Sequence, residues 1–154
     1  MRVFRVEREK YLATTLKGYG AALSEGCRWN SLNTRLVYSA ESRALATLEI
    51  SVHLDLSEDL PSDRFFVEIE IPDSISIFEL KPRDLPDNWD AKPPIIETQF
   101  ISDDFVNDNN AAILKVPSAI ISQEFNYLIN PDHPDSSQIK VMGHTPIKFD
   151  HRLI

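Results

Sequence analysis

A chain of 154 residues, 42% of them hydrophobic, has the size of one globular domain with a sizeable core. Its formal net charge of −8 excludes a general binder of nucleic acid or anionic membrane, because phosphate contacts need clustered Lys and Arg; one local anion pocket remains open to it. The single cysteine, Cys27, cannot form an internal disulfide and fits a reducing cytoplasm.

The first strand is predicted at 2–6, where Val3 and Phe4 supply bulk. The first ten residues lack the apolar run of a secretory signal, and no stretch reaches the length of a membrane helix. A cytoplasmic chain without a membrane segment is therefore expected. Residues 11–23 show no clear period, and Tyr19-Gly20 is expected to begin an irregular loop that leads to Arg28. A short strand follows at 35–39 with Tyr38 near its end. A helix then starts at 39–41. Ala44, Leu45, Leu48 and Val52 recur at the spacing of one helical face, Ser39 is placed to cap the first turn, and Glu41 favours its positive end. On that helix Glu49 falls beside Leu45 and Val52, and a carboxylate facing a core needs a partner or a function. On position alone, a rim glutamate bonded to nearby backbone is the favoured reading.

Residues 56–63 read as a polar connection. Residues 65–71 alternate Phe65, Val67, Ile69 and Ile71 with Glu68 and Glu70, a strand whose glutamates face solvent. Residues 74–80 alternate Ile75 and Ile77 with serines and suggest another strand. The proline-rich stretch 81–94 is a loop in which Trp89 is expected to pack against core or surface more readily than to cover a pocket. A helix is predicted at 95–106, a polar break at 107–110 and a buried strand at 111–116. Pro117 cannot continue a central strand, so Ser118 should sit at a strand end, where sites often lie. A strand at 125–129, a turn at 132–135 and an extended segment or strand pair at 139–149 complete the chain. His133 and Asp135 have no compact ligand set around them, so no metal is expected. There is no phosphate loop and no dinucleotide glycine fingerprint. Several strands with few helices indicate an α+β fold, with 1–154 as one domain.

Six groups of residues stand out in order. The first half holds Gly26-Cys27-Arg28-Trp29-Asn30, then Val37-Tyr38-Ser39-Ala40-Glu41-Ser42, then Ala46-Thr47-Leu48-Glu49. The second half holds Leu114-Lys115-Val116-Pro117-Ser118-Ala119, Asn126-Tyr127-Leu128-Ile129-Asn130-Pro131-Asp132-His133-Pro134 and Phe149-Asp150-His151-Arg152-Leu153. Together these motifs resemble the RES domain over nearly the whole chain. Arg5 matches an arginine common near the start of that family, although a surface strand residue is as fair a reading. Cys27 stands where the family usually has glycine. Its neighbour Arg28 offers a way to lower a thiol pKa, yet a small packing residue is the expectation. Ser31-Leu32-Asn33 replaces a frequent Ser-Pro-Gly, and Asn33 can still supply a turn.

The resemblance implies a split, mixed β-sheet similar to the ADP-ribosyltransferase fold, with an NAD cleft. It implies the toxin of a bacterial toxin–antitoxin pair that degrades NAD at the nicotinamide–ribose bond, by hydrolysis or phosphorolysis. NAD would be the substrate, and no cofactor is expected. In the roles that follow, Glu49 stabilises positive charge on the ribose, Arg28 holds a phosphate or hydroxyl-rich edge, and Tyr38 stacks on nicotinamide or ribose. Ser118 bonds a ribose hydroxyl or the amide, or holds Glu49, and Asn126 supports the pocket. Arg28, Tyr38, Ser118 and Asn126 would thus bind NAD. The implied partner is an Xre-type DNA-binding antitoxin that blocks the cleft. Inorganic phosphate as acceptor and a homodimer within the toxin–antitoxin complex are compatible with it. A protein mono-ADP-ribosyltransferase uses the same first half-reaction and is the alternative. An inactive interaction domain of the same fold is a third reading, against which the retained Arg28, Tyr38, Glu49 and Ser118 weigh. A thiol or serine hydrolase ranks last, because no histidine is placed by motif beside Cys27 or Ser118.

Overall fold

The structure is a computed structural model that describes residues 1–55, 57 and 60–153; Leu56, Glu58 and Asp59, in the predicted 56–63 connection, lie outside the described residues. Seven strands appear in chain order: β1 (Arg2–Arg8), β2 (Val37–Ala40), β3 (Arg64–Glu70), β4 (Ile77–Glu79), β5 (Ile113–Pro117), β6 (Phe125–Ile129) and β7 (Lys140–Pro146). They form one mixed sheet in the order β4-β5-β6-β2-β1-β3-β7, in which β4 and β5 run parallel and the other neighbours antiparallel. The helices are α1 (Tyr19–Ala22), α2 (Arg43–Ser51) and α3 (Ile96–Asp108). None is long and apolar enough to cross a membrane among the described residues.

The sheet has a seam. Every residue of β1 is registered with β3, and every residue of β2 with β6, but β1 and β2 share a single registered pair, Phe4 opposite Ala40. The expected split sheet is thus two well-paired halves joined at one point. Alternation along the strands gives each half two faces. Val3, Val37, Val67, Ile69, Ile113 and Ile129 are buried together on one face, with Leu12 and Leu16 packed beneath them. The other face carries two groups. Ala40 and Phe4 meet Leu45 and Ala46 of α2, while Leu114, Val116 and Leu128 meet Trp29, Leu36 and Trp89 from loops and Ile101 and Phe105 of α3. By register, Tyr38 and Asn126 belong to this helix-covered face.

Several sequence expectations shift. The 35–39 strand lies at Val37–Ala40, and α2 begins at Arg43 rather than 39–41. Ser42, not Ser39, caps α2: its Oγ accepts from the Leu45 N–H at 3.0 Å, while the Ser39 hydroxyl donates to the Tyr127 carbonyl within the sheet. The later start changes which residues face inward. Leu45 and Ala46 are buried, whereas Leu48 and Val52 are 36% and 53% exposed, so the covered side of α2 runs through Ser42, Leu45, Ala46 and Glu49. The expected irregular start at Tyr19 is the short helix α1. Before it, Gly18 has φ +72°, and a Cβ there would stand 2.9 Å from the Leu36 backbone nitrogen, which demands glycine. Of the 74–80 strand only Ile77–Glu79 forms, as a short edge, with Ile75 buried in the preceding turn. Glu68 and Glu70 are partly covered, because Arg2 pairs with both and Arg43 with Glu68. The 107–110 break is half helix: α3 runs on to Asp108 and ends on Asn109 in the left-handed region, φ 53°. Arg5 is not a surface residue; it joins Glu7 and Thr15 under the core face.

Candidate active site

Three strand ends meet at one edge of the sheet. β2 ends at Ala40, β5 ends at Pro117 opposite Phe125, and β6 begins there, with Asn126 facing both Ala40 and Val116. Pro117 ends the strand as its missing N–H requires, and Ser118 follows, fully buried. The chain leaving β2 turns at once into α2, which lies back across this edge and lowers Glu49 from its second turn. Ser118 Oγ donates to Glu49 Oε1 at 2.7 Å, and Asn126 Nδ2 donates to the same oxygen at 2.7 Å. Ser118 Oγ itself accepts the backbone N–H groups of Ile120 and Ile121 at 3.0 and 3.1 Å. With its acceptor side occupied by two amides, the hydroxyl has one proton and one place to send it, which is Glu49. Among the described residues no donor reaches Glu49 Oε2.

A second network stands beside the first. The Tyr38 phenol donates to Asn30 Oδ1 at 2.6 Å and accepts the Trp29 N–H at 3.3 Å. Asn30 is completely buried and is held in turn by donating to the Ala21 and Ser31 carbonyls at 2.9 and 3.1 Å. Burial pushes the Tyr38 pKa well above its ordinary value, so the phenol is a neutral, oriented group. Arg28 Nη1 donates to the Trp89 and Ala91 carbonyls at 2.6 and 3.1 Å, which pins one nitrogen of the guanidinium to the 86–91 loop. The Trp29 and Trp89 rings lie 6.2 Å apart, tilted by 31°, and brace that loop. From α3, Thr98 Oγ1 donates to the Arg28 carbonyl and Gln99 Nε2 to the Cys27 carbonyl, each at 2.7 Å. Burial lowers the Arg28 pKa, and the carboxylates of Asp90 and Glu49 oppose that shift, so Arg28 and Glu49 stand within each other's field.

The structure therefore brings Glu49, Ser118 and Asn126 into direct contact. It places Arg28 and Tyr38 in the neighbouring network, and among the described residues neither bonds Glu49. The favoured positional reading of Glu49, a glutamate bonded to backbone, is replaced by one bonded to two side chains. Burial raises the Cys27 thiol pKa, opposite to what an activated nucleophile needs, and its Sγ lies 3.7 Å from the Ser24 carbonyl. His133 Nδ1 accepts the Asp135 N–H at 3.1 Å within its turn. Asn30 is the residue to which sequence reasoning gave no role, although it lies inside the quoted Gly26–Asn30 motif; a buried amide needs donors and acceptors, and here they orient Tyr38. The Trp89 and Ala91 carbonyls left no trace in the sequence, since any residue supplies a carbonyl.

Relatives share this chain's length. The Prs ADP-ribosylating toxin of Sphingobium sp. (strain YBL2) is 42% identical over 146 residues, which cover 94% of this chain and 89% of that protein. The Toxin Res of Yersinia enterocolitica serotype O:8 / biotype 1B is 37% identical over 155 residues, 99% of each chain. A chain in the crystal structure of the M. tuberculosis MbcT-MbcA toxin-antitoxin complex superposes with a TM-score of 0.75, covering 95% of this chain and 83% of that one; at 14% identity it shows a shared fold. The RES domain model matches residues 2–150, and with full-length relatives at this identity the chain belongs to the RES domain family.

Proposed function

We propose that this chain is the toxin of a toxin–antitoxin pair and consumes NAD by breaking the nicotinamide–ribose bond. The observation that carries the reading is the single carboxylate of Glu49, fixed at Oε1 by Ser118 and Asn126. It stands in the field of the Arg28 guanidinium, which also lies in the field of the neutral Tyr38 phenol. Nicotinamide is cationic while attached. When its C–N bond to ribose breaks, the bonding pair leaves with nicotinamide and positive charge develops on the sugar. A carboxylate already oriented at that carbon stabilises the charge without reorganising. Arg28, pinned through Nη1, keeps Nε and Nη2 to hold an anionic or hydroxyl-rich part of NAD. Tyr38 supplies a ring to stack on nicotinamide or ribose. Water, giving up a proton to solvent, or inorganic phosphate then bonds to the sugar carbon.

A second reading has its own support. The Sphingobium relative is named an ADP-ribosylating toxin. The same broken bond with a protein side chain as acceptor would make this chain a mono-ADP-ribosyltransferase. Free nicotinamide counted against ADP-ribose retained on protein separates the two, because hydrolysis and phosphorolysis leave no label on protein.

The partner we propose is an Xre-type antitoxin covering the cleft. The structural neighbour was solved as a toxin-antitoxin complex, and a chain of net charge −8 leaves operator binding to its partner. Induced expression of this chain alone should stop growth and lower cellular NAD, and co-expression of the antitoxin should restore both. Normal growth at unchanged NAD overturns the reading.

A further inference from the structure

The seam between β1 and β2 is closed by side chains rather than by a ladder. After Phe4 opposite Ala40, the next positions would set Arg5 against Ser39 and then Val6 against Tyr38, and no pair is registered at either. Instead Arg5 Nη1 donates to the Tyr38 carbonyl at 3.0 Å. The rest of the guanidinium is taken up: Nε and Nη2 donate to Glu7 Oε2 at 3.1 and 2.8 Å, and Nε also meets Thr15 Oγ1 at 3.0 Å. Thr15 Oγ1 donates to Glu7 Oε2, and Glu7 Oε1 accepts the Arg8 N–H, both at 3.0 Å. The side chains of Arg5 and Glu7 are 18% and 10% exposed, and Thr15 is buried. By register Arg5 shares its face with Val67, across the sheet from the face that carries Tyr38 and Asn126, so it does not reach the candidate site directly.

A buried ion pair is a poor way to gain stability, since well-packed apolar side chains of similar volume do as well or better. What this pair does, and an apolar pair cannot, is donate to one chosen carbonyl. We infer that Arg5 is a positioning residue for Tyr38. From the far face of the sheet it fixes the Tyr38 peptide at the seam, and so sets where the phenol stands in the candidate site. Glu7 and Thr15 hold the guanidinium in the orientation that reaches this oxygen. The planar fork serves both ends at once, which a lysine ammonium does not. The inference rests on the NAD-cleaving reading above for its kinetic consequence, but not for its structural one.

The test uses Arg5→Met/Glu7→Met, which removes both charges together and strands neither, and Arg5→Lys, which keeps the charge and loses the fork. Both should fold with a wild-type melting temperature or one close to it. On folded protein, kcat for NAD cleavage should fall by about tenfold or more, as for a displaced active-site group. KM should move by less than about threefold. In a Tyr38→Ala background the double substitution should change kcat by less than about twofold, because its effect runs through Tyr38. Wild-type kcat in either folded variant, or the same loss with and without Tyr38, overturns the inference. A readout free of NAD stands beside this. With four tyrosines in the chain, the Tyr38 ring resonance of tyrosine-labelled protein is assigned by Tyr38→Phe. It should shift in the Arg5 variants while those of Tyr11 and Tyr19 stay. If wild-type protein leaves NAD intact, the proposed function falls and this spectrum alone decides: an unmoved Tyr38 resonance sinks the role of Arg5.

Discussion

Glu49 accepts from Ser118 and Asn126 on the same oxygen, and that detail separates structure from chemistry at the scale of one residue. A glutamine at 49 keeps the size and keeps a carbonyl oxygen for the same two donors, and loses only the charge. If the charge stabilises the developing cation, Glu49→Gln should lower kcat by about a hundredfold or more with little change in KM. Its melting temperature should stay close to wild type, since both hydrogen bonds survive. Thermal melting and NAD loss measured on one preparation check this. A destabilised protein that still turns over NAD at the wild-type rate would make Glu49 a structural residue. Two other carboxylates of the family motifs offer no substitute. Glu41 is spent on the Phe125 N–H at 3.1 Å, and Asp150 is bound to Arg152, which holds its carboxyl down at about 2.

At the scale of the element, α2 depends on its cap. Ser42→Ala deletes the acceptor for the Leu45 N–H and should cost about 1 kcal/mol. For a chain of this size that is a fall of about 2–4 °C in melting temperature, with turnover per folded molecule kept. A loss of turnover at unchanged melting temperature would instead tie the cap to the site. Elements with one dominant signal were legible in the sequence. The strand 125–129 is β6 to the residue, Pro117 ends β5 as its missing N–H dictates, and the 95–106 helix is α3 displaced by one residue at its start and two at its end. The face of α2 was not legible, because its covered side holds a small Ala46 and a polar Glu49 while Leu48 and Val52 point outward, so apolar periodicity chose the wrong stripe. Ser39 and Ser42 compete as caps on residue type alone, and pairing with Tyr127 in the sheet settles the matter by using Ser39. The family motifs named the residues of the candidate site, and the structure brings Glu49, Ser118 and Asn126 into contact. The wiring of the site was not legible, since Asn30 and the Trp89 and Ala91 carbonyls act through contacts made only once distant loops have packed.

At the scale of the molecule, the two halves of the sheet meet at Phe4 and Ala40, and Tyr38 next to that point is a reporter of global folding. Burial raises its pKa above the unfolded phenol value of about 10. Below that pH both states hold the proton and the contribution to stability is complete. As pH rises past about 10 the unfolded chain loses its proton first, and stability falls. Melting temperature should therefore drop above pH of about 10, and less steeply in Tyr38→Phe. The slope should not vanish, because burial raises the Cys27 and Tyr127 pKa values as well. An identical slope in the variant would place the Tyr38 phenol in water. The order of the chain adds a consequence in time. Ser118 and Asn126 lie 69 and 77 residues beyond the carboxylate they hold. A ribosome that has delivered β1, β2 and α2 has made Glu49 but neither of its clamps, and β6 emerges only after most of the chain has been synthesised. On the proposed function, the nascent polypeptide lacks its clamped carboxylate for most of its translation, and NAD cleavage starts only as the last strands come out.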